Sequence, residues 1–318
     1  MLASALLARR YGKGTCLRIV RYWDPDAGRP ALGCVQADRV ISLAALLENQ
    51  EASLEALLRI AEERRLTPEA LIKQSSLKLS RSFSYEELDR PPDPGKPHLL
   101  QSVVSAEVWA AGVTYERSRQ AREAESEVAD IYERVYDAER PEIFFKATPS
   151  RCVGPNQPLG LRGDSRWIVP EPELALILDR SLRVVGFTLG NDMSCRDIEG
   201  ENPLYLPQAK VFTNCCSLGP AVLLAENDAS PEFVIECRIL REGQVVFQGT
   251  VSTKQMHRRF AELVQFLRRC NTFAGMTTLL TGTGIVPPND FSLRAGDIVE
   301  ISSPSIGVLR NPVEALQP

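Results

Sequence analysis

Between residues 15 and 43 apolar and polar side chains alternate: Leu17-Arg-Ile-Val-Arg-Tyr22, an Asp24-Pro-Asp-Ala-Gly28 turn, Ala31 to Val35, then Val40-Ile41. A period of two, broken by turn residues, predicts short antiparallel strands. From Leu43 to Arg64 the period changes, and Leu54, Leu57, Leu58 and Ala61 share one helical face. Thr67-Pro68 supplies an N-cap and a first-turn proline for a short helix to Lys73. Pro91-Pro-Asp-Pro-Gly-Lys-Pro97 reads as a stiff linker. It divides the chain into a small N-terminal domain, residues 1–95 with a terminal extension, and a larger part, residues 96–318.

Beyond the linker, Val108 to Val113 is an apolar strand, and Thr114 opens a charged helical stretch running to about Glu139. Most charges in that stretch fit a solvated helix with i,i+4 pairs, whereas Glu116 stands at the strand end. Pro141-Glu-Ile-Phe-Phe-Lys146 is a short strand with a lysine at its end. Leu174 to Leu178 is continuously apolar, as in a strand covered on both faces, and Val184 to Leu189 is a second such run. Residues 233–253 alternate around a Glu242-Gly243 turn, predicting a hairpin. Arg258 to Arg269 is an amphipathic helix, and strands are expected at Leu279-Leu-Thr281 and Leu293 to Ile301. Thr281 to Gly284 is glycine-rich but lacks the lysine and following helix of a phosphate loop.

Composition narrows the class. The 318 residues are 44% hydrophobic and 25% charged, ordinary for a globular enzyme. A net charge of −4 gives no electrostatic case for nucleic acid. No eighteen consecutive residues are apolar, so no membrane span is expected. Met1 to Ala8 is short and lacks a basic start, so it reads as a frayed extension rather than a signal peptide. Eight cysteines without a CxxC pair read as reduced, mostly buried thiols in the cytoplasm. With only His98 and His257 present, proton transfer must fall to carboxylates, lysine or tyrosine.

The candidate chemistry centres on Glu171-Pro-Glu173, at the mouth of the first core strand, and Asp192, at the end of the second. Strand residues two apart share a face at roughly 6.6 Å spacing. A Glu-x-Glu pair fits a solvated edge equally well. The flanking prolines, the core strand and the Gly190-Asn-Asp192 turn turn the reading toward a cation, and three oxygen ligands suit Mg²⁺ or Mn²⁺.

From about Leu100 onward the chain resembles the fumarylacetoacetate hydrolase superfamily. The resemblance rests on Phe144-Phe-Lys146, Glu171-Pro-Glu173-Leu-Ala-Leu, Gly186-Phe-Thr-Leu-Gly-Asn-Asp192-Met-Ser-Cys-Arg196-Asp197, Lys210, Thr281-Gly-Thr283 and Leu293-x-x-Gly-Asp297-Ile-Val-Glu. It implies an α+β, mostly β fold, with a mixed β-roll catalytic core and a small α+β N-terminal domain. It also implies a divalent metal on Glu171, Glu173 and Asp192, a nearby lysine at Lys210 and a threonine for the substrate carboxylate at Thr283. The hydrolases of the family carry a histidine after the first core strand; Thr114 to Glu123 contains none.

That variant looks like the 2-keto-3-deoxy sugar acid dehydratases, above all those acting on 2-keto-3-deoxy-arabinonate, as do Tyr132 to Pro141 and Asp197 to Pro207. The implied reaction is loss of water from a 2-keto acid through a metal-stabilised enolate. Glu116 and Lys210 then share the proton transfers, and Ser118, Arg119, Lys146, Arg196 and Thr283 hold the substrate. The alternative is a C–C bond hydrolase or decarboxylase acting on a 2,4-diketo or β-keto acid. A sugar-acid-binding protein without activity would be expected to have lost a ligand or Lys210, and all are present. The family's habit implies a homodimer or homotetramer with a small-molecule 2-keto acid as its partner; composition has already placed the chain in the cytoplasm, with neither nucleic acid nor membrane as a partner.

Overall fold

A computed structural model describes residues 17–47, 51–75, 80–125, 134–225 and 231–317. The segment Met1 to Ala8, Cys16, and Tyr132-Glu133 of the family insertion lie outside the described residues.

The alternation near the N-terminus becomes three antiparallel strands: β1 (Arg18–Asp24), β2 (Arg29–Gln36) and β3 (Arg39–Ser42). Val20, Tyr22, Leu32 and Val40 point inward and are fully buried. Helices α1 (Ala44–Leu47), α2 (Leu54–Glu63) and α3 (Pro68–Gln74) follow. Ser53 caps α2, accepting from Ala56 N–H at 3.2 Å. The expected Thr67 cap of α3 accepts from Ala70 N–H at 3.1 Å, with Pro68 in the first turn.

The rest is mostly strand: β4 (Glu107–Ala111), the charged helix α4 (Glu116–Glu125), β5 (Ile143–Ala147), β6 (Pro172–Leu178) and β7 (Val184–Asp192). Short helices α5 (Arg196–Glu201) and α6 (Leu206–Lys210) lead into β8 (Cys216–Leu224). After these come the hairpin β9 (Val234–Arg241) and β10 (Gln244–Ser252), helix α7 (Phe260–Arg268), and β11 (Thr277–Leu280), β12 (Ile298–Ser303) and β13 (Gly307–Ala315). The last expected strand starts at Ile298 rather than Leu293. Asp297 folds back to accept Arg294 N–H at 2.9 Å and closes a turn there.

One large mixed sheet runs in the order β3-β2-β1-β8-β7-β6-β11-β4-β5, with β11 and β4 parallel. The N-terminal strands join it where β1 pairs with β8, Arg18 opposite Leu223. A second sheet contains β10-β9-β12-β13 and packs across β6, β7 and β8 through β9, β12 and β13. This two-sheet arrangement is the mixed α+β, β-roll fold that the sequence suggests. Every residue of β6 is buried, so its apolar run is explained by cover on both faces. Seven described cysteines are free thiols; all are buried except Cys270, which is exposed.

Leu176, at the centre of β6, is fully buried. Leu176→Ala should lower the unfolding free energy by about 2–5 kcal/mol, the usual cost of a core cavity, read from denaturant midpoints. A loss below about 1 kcal/mol would show that β6 is not the packed centre.

Candidate metal centre and proton-transfer site

Strand register assembles the acidic group. β6 and β7 pair with Pro172 opposite Asn191 and Glu173 opposite Gly190. That places Glu171 beside Asp192, whose N–H donates to the Glu171 carbonyl at 3.0 Å. The Asn191 side-chain oxygen accepts Glu171 N–H at 3.1 Å and fixes the entry to β6. Carboxylate oxygens of Glu171, Glu173 and Asp192 lie within 4.8 Å of one another, and all three residues are buried.

Three buried cations answer two of these carboxylates. Lys210, the last residue of α6, donates through Nζ to Glu171 Oε2 at 2.6 Å and to Asp192 Oδ2 at 3.2 Å. Its ammonium also sits 5.5 Å from the centroid of the Phe144 ring. Arg196, opening α5, places Nη2 2.8 Å from Glu171 Oε1. Lys146 Nζ lies 2.7 Å from Asp192 Oδ1 and donates to the carbonyls of Met193, at 2.9 Å, and Lys210. Asp192 Oδ1 receives no well-directed hydrogen bond, so its contact with Lys146 is an ion pair. Burial pushes the Lys146 ammonium down; the Asp192 carboxylate, together with Cys215 and Cys216, outweighs this, and the pKa lies above the ordinary value.

Glu173 differs. Among the described residues its carboxylate accepts one hydrogen bond, from Gly282 N–H at 2.6 Å, and makes no direct ion pair. Burial first, then repulsion from Asp192 and Glu171, push its carboxyl well above the ordinary value. Gly282 can turn its N–H inward because it lacks a side chain: its φ is +92°, and a Cβ there would sit 2.0 Å from Thr114 Oγ1. Three buried oxygen donors, one without a cation of its own, fit a hard divalent ion.

A narrow cavity of about 20 Å³ opens on this group. That is room for about one water, so a larger ligand enters only if a wall moves. Besides Glu171, Glu173 and Lys210, its walls include Ser118, Glu142, Phe144, Glu199 and Thr283. Glu142 lies just before β5, and Gly112 N–H donates to its carbonyl at 3.2 Å. Gly112 leaves space for the Glu142 side chain; a Cβ at 112 would meet Glu142 Oε2 at 1.9 Å. Glu199, on α5, is 3% exposed and accepts from Ser194 Oγ at 3.0 Å.

The structure therefore brings together Glu171, Glu173, Asp192, Lys210, Arg196, Ser118 and Thr283. Ser118 Oγ donates to the Tyr115 carbonyl at 2.7 Å, and Thr283 Oγ1 to the Pro172 carbonyl at 2.9 Å. Lys146 stands behind Asp192 and does not line the cavity. Glu116 and Arg119 lie outside it. The Glu116 side chain is 49% exposed, and its carboxylate accepts from Arg119 Nε at 3.0 Å and Gln120 Nε2 at 2.9 Å. The Arg119 hydrogen bonds hold Glu116 below the ordinary carboxyl value. Arg119 itself also pairs with Glu123 and faces the Tyr136 ring. Sequence reasoning missed Glu142 and Glu199 as cavity groups; the available signals were the glycine at 112, opposite Glu142, and the Arg196-Asp-Ile-Glu199 turn of helix.

Two outcomes follow. Lys146→Met strands Asp192 without its closest cation and should cost about 3–5 kcal/mol in chemical denaturation, with Mg²⁺ restoring part of the loss. An unchanged midpoint would show that the ion pair is unimportant. Glu173 holds its proton more tightly folded than unfolded. In the metal-free protein its cost to stability therefore grows as pH rises from the ordinary carboxyl range toward its raised pKa. Without metal, Glu173→Gln should melt above the parent at pH 8 and close to it at pH 5; saturating Mg²⁺ should reverse the order at pH 8. A parent that melts above the metal-free variant at pH 8 would contradict this.

Residues 107–314 match the family model for the fumarylacetoacetate (FAA) hydrolase C-terminal domain. A Haloferax volcanii protein described as a probable 2-keto-3-deoxyxylonate dehydratase is 51% identical over 217 residues, 68% of this chain and 75% of its own. A 2-dehydro-3-deoxy-D-arabinonate dehydratase of Saccharolobus solfataricus is 40% identical over 281 residues, 86% of this chain and 91% of its own. A solved 2-keto-3-deoxy-D-arabinonate dehydratase, complexed with magnesium and 2,5-dioxopentanoate, matches the fold with a TM-score of 0.78 at 35% identity, covering 95% of this chain and 100% of that one. With the carboxylate triad on β6 and β7 and this extent of match, the chain belongs to the fumarylacetoacetate hydrolase family.

Proposed function

We propose that the chain is a divalent-metal-dependent hydro-lyase that removes water from a 2-keto-3-deoxy sugar acid, converting 2-keto-3-deoxy-arabinonate to 2-oxoglutarate semialdehyde. One observation carries this reading: Glu171 and Glu173, of a buried three-carboxylate group with Asp192, line a narrow cavity together with a lysine, Lys210, and a further carboxylate, Glu142. The 40% and 51% identical dehydratases support it.

Glu171, Glu173 and Asp192 would hold Mg²⁺ or Mn²⁺. The ion, when bound, would polarise the 2-keto group and make C3 more acidic. Lys210 and Glu142 divide the two proton transfers, one taking a proton from C3 and the other protonating the departing C4 hydroxyl. The C3 proton and the C4 hydroxide leave as one water; tautomerisation of the remaining allylic alcohol gives the aldehyde. We assign the carboxyl role to Glu142 in place of Glu116 because Glu142 lines the cavity, whereas Glu116 is held outside by Arg119. Lys146 positions Asp192, and Arg196 positions Glu171. Ser118 and Thr283 are the hydroxyl side chains of the cavity wall and would meet a bound acid there. Nothing in the cavity favours the C–C bond hydrolase or decarboxylase. Neither histidine lines it: His98 lies against Trp23, and His257 stacks on Tyr136.

The same reading has the enzyme working in the cytoplasm as a homodimer or homotetramer, with residues 1–95 as a small N-terminal domain whose strands extend the large sheet of 96–318. Exposed Val245 and Val246 on β10 support association between copies.

Glu142→Gln and Lys210→Met should each lower kcat for semialdehyde formation with Mg²⁺ by about 10²–10⁴-fold, whereas Glu116→Gln should cost less than about tenfold. A loss at Glu116 matching that at Glu142 would return the role to Glu116. Release of pyruvate or carbon dioxide instead of water would replace the lyase with the alternative chemistry.

A further inference from the structure

The stretch that leads into β5 cannot hold itself in place. Residues 134–137 form a single helical turn, too short to be stable alone. A helix also leaves its last carbonyls without partners of its own. Arg258 supplies what is missing. Its Nη2 donates to the carbonyls of Val135, at 3.2 Å, Tyr136, at 3.1 Å, and Ala138. Its Nη1 donates to Glu262 Oε1 at 2.7 Å, so the first turn of α7 fixes the fork from the other side. Arg258 is buried, and charge-assisted hydrogen bonds are strong where water is excluded. The same residue is joined to the frame of the metal centre. The adjacent His257 N–H donates to the Thr114 carbonyl at 2.8 Å, and Thr114 Oγ1 donates to the Thr281 carbonyl at 2.7 Å, next to the Gly282 N–H that bonds Glu173. The His257 ring also stacks on Tyr136, with centroids 4.3 Å apart.

We propose that Arg258 is a positioning residue: by fastening residues 135–138 it sets Glu142 at the cavity for proton transfer. The inference rests on the Glu142 role given above and deepens it. Glu142 follows Ala138 by four positions. Gly112 N–H holds the Glu142 carbonyl on the strand side, and Arg258 holds the approach from the other side. Between the two, Arg140 lies over the Phe266 ring of α7 at 5.6 Å, and Pro141 is buried. A proline fixes its own φ and restricts the residue before it, so a displacement at Ala138 is passed on to Glu142 rather than absorbed on the way. Proton transfer needs its group within hydrogen-bond reach of the substrate, and a misplacement of about 1 Å can cost about a hundredfold in rate. The clamp also keeps the Tyr136 ring 5.7 Å from the Arg119 guanidinium of α4, the helix that brings Ser118 to the cavity.

The test is a double-mutant cycle in the full-length Mg²⁺-loaded protein. Arg258→Lys keeps the positive charge without the planar fork, and Arg258→Ala removes both. Each should lower kcat for semialdehyde formation by at least about tenfold while KM stays within about threefold of the parent. In a Glu142→Gln background the same substitutions should change kcat by less than about threefold, because a group that acts through Glu142 then has nothing to position. Mg²⁺ affinity, read by calorimetry, should stay within about threefold of the parent, since the triad is untouched. Amide hydrogen exchange at residues 135–140 should speed up by at least about tenfold, with β6 and β7 unchanged. An unchanged kcat, unchanged exchange, or a loss of equal size in the Glu142→Gln background would overturn the proposal. Loss of Mg²⁺ binding in both variants would do so too, by assigning Arg258 to the fold as a whole. If Glu142→Gln alone leaves kcat intact, the Glu142 role itself fails, and this proposal falls with it.

Discussion

Repulsion among three buried carboxylates is the constraint to which the rest of this molecule answers. Glu171, Glu173 and Asp192 crowd within 4.8 Å, away from solvent, and like charges in a low-dielectric interior are costly unless compensated. Compensation is uneven. Lys210 and Arg196 attend Glu171, Lys146 and Lys210 attend Asp192, and Glu173 keeps one backbone N–H. The unevenness is the functional point, since a fully neutralised cluster would have little left to attract an ion.

The secondary structure can be understood as the means of holding that crowd in place. β6 and β7 lie near the middle of the large sheet, flanked by β11 on one side and β8 on the other, and the second sheet packs across them. The register of this pair sets Glu171 against Asp192. The short helices α5 and α6 bring Arg196 and Lys210 back to the strand ends from which the carboxylates project. Lys146 ties three segments together, since one ammonium meets Asp192, the Met193 carbonyl and the Lys210 carbonyl. An architecture that spends three buried cations on one site is organised around chemistry more than around stability, because apolar packing would serve stability as well.

Much of this was legible in the sequence. The continuous apolar runs gave β6 and β7, and the carboxylates at their ends gave the centre. What spacing could not give was the partner brought in from far along the chain. Glu142 precedes a strand whose pairing with β4 sets it over Gly112, and that pairing is visible only in three dimensions. Glu199 is one of several acids on a short helix, and only packing distinguishes it from its exposed neighbour Glu201. Glu116 is the opposite case: its place at a strand end suggested the site, and α4 turns it outward onto Arg119. Lys146 looked like a strand-end cation for substrate, but its side chain points into the core behind Asp192.

The central claim is that these three carboxylates share one divalent ion. Crystals grown with Mn²⁺ and measured at its absorption edge test it most directly. A single anomalous peak within about 2.0–2.3 Å of oxygens from Glu171, Glu173 and Asp192 is the expected result. A map without a peak there, with Lys210 still bridging Glu171 and Asp192, would contradict it.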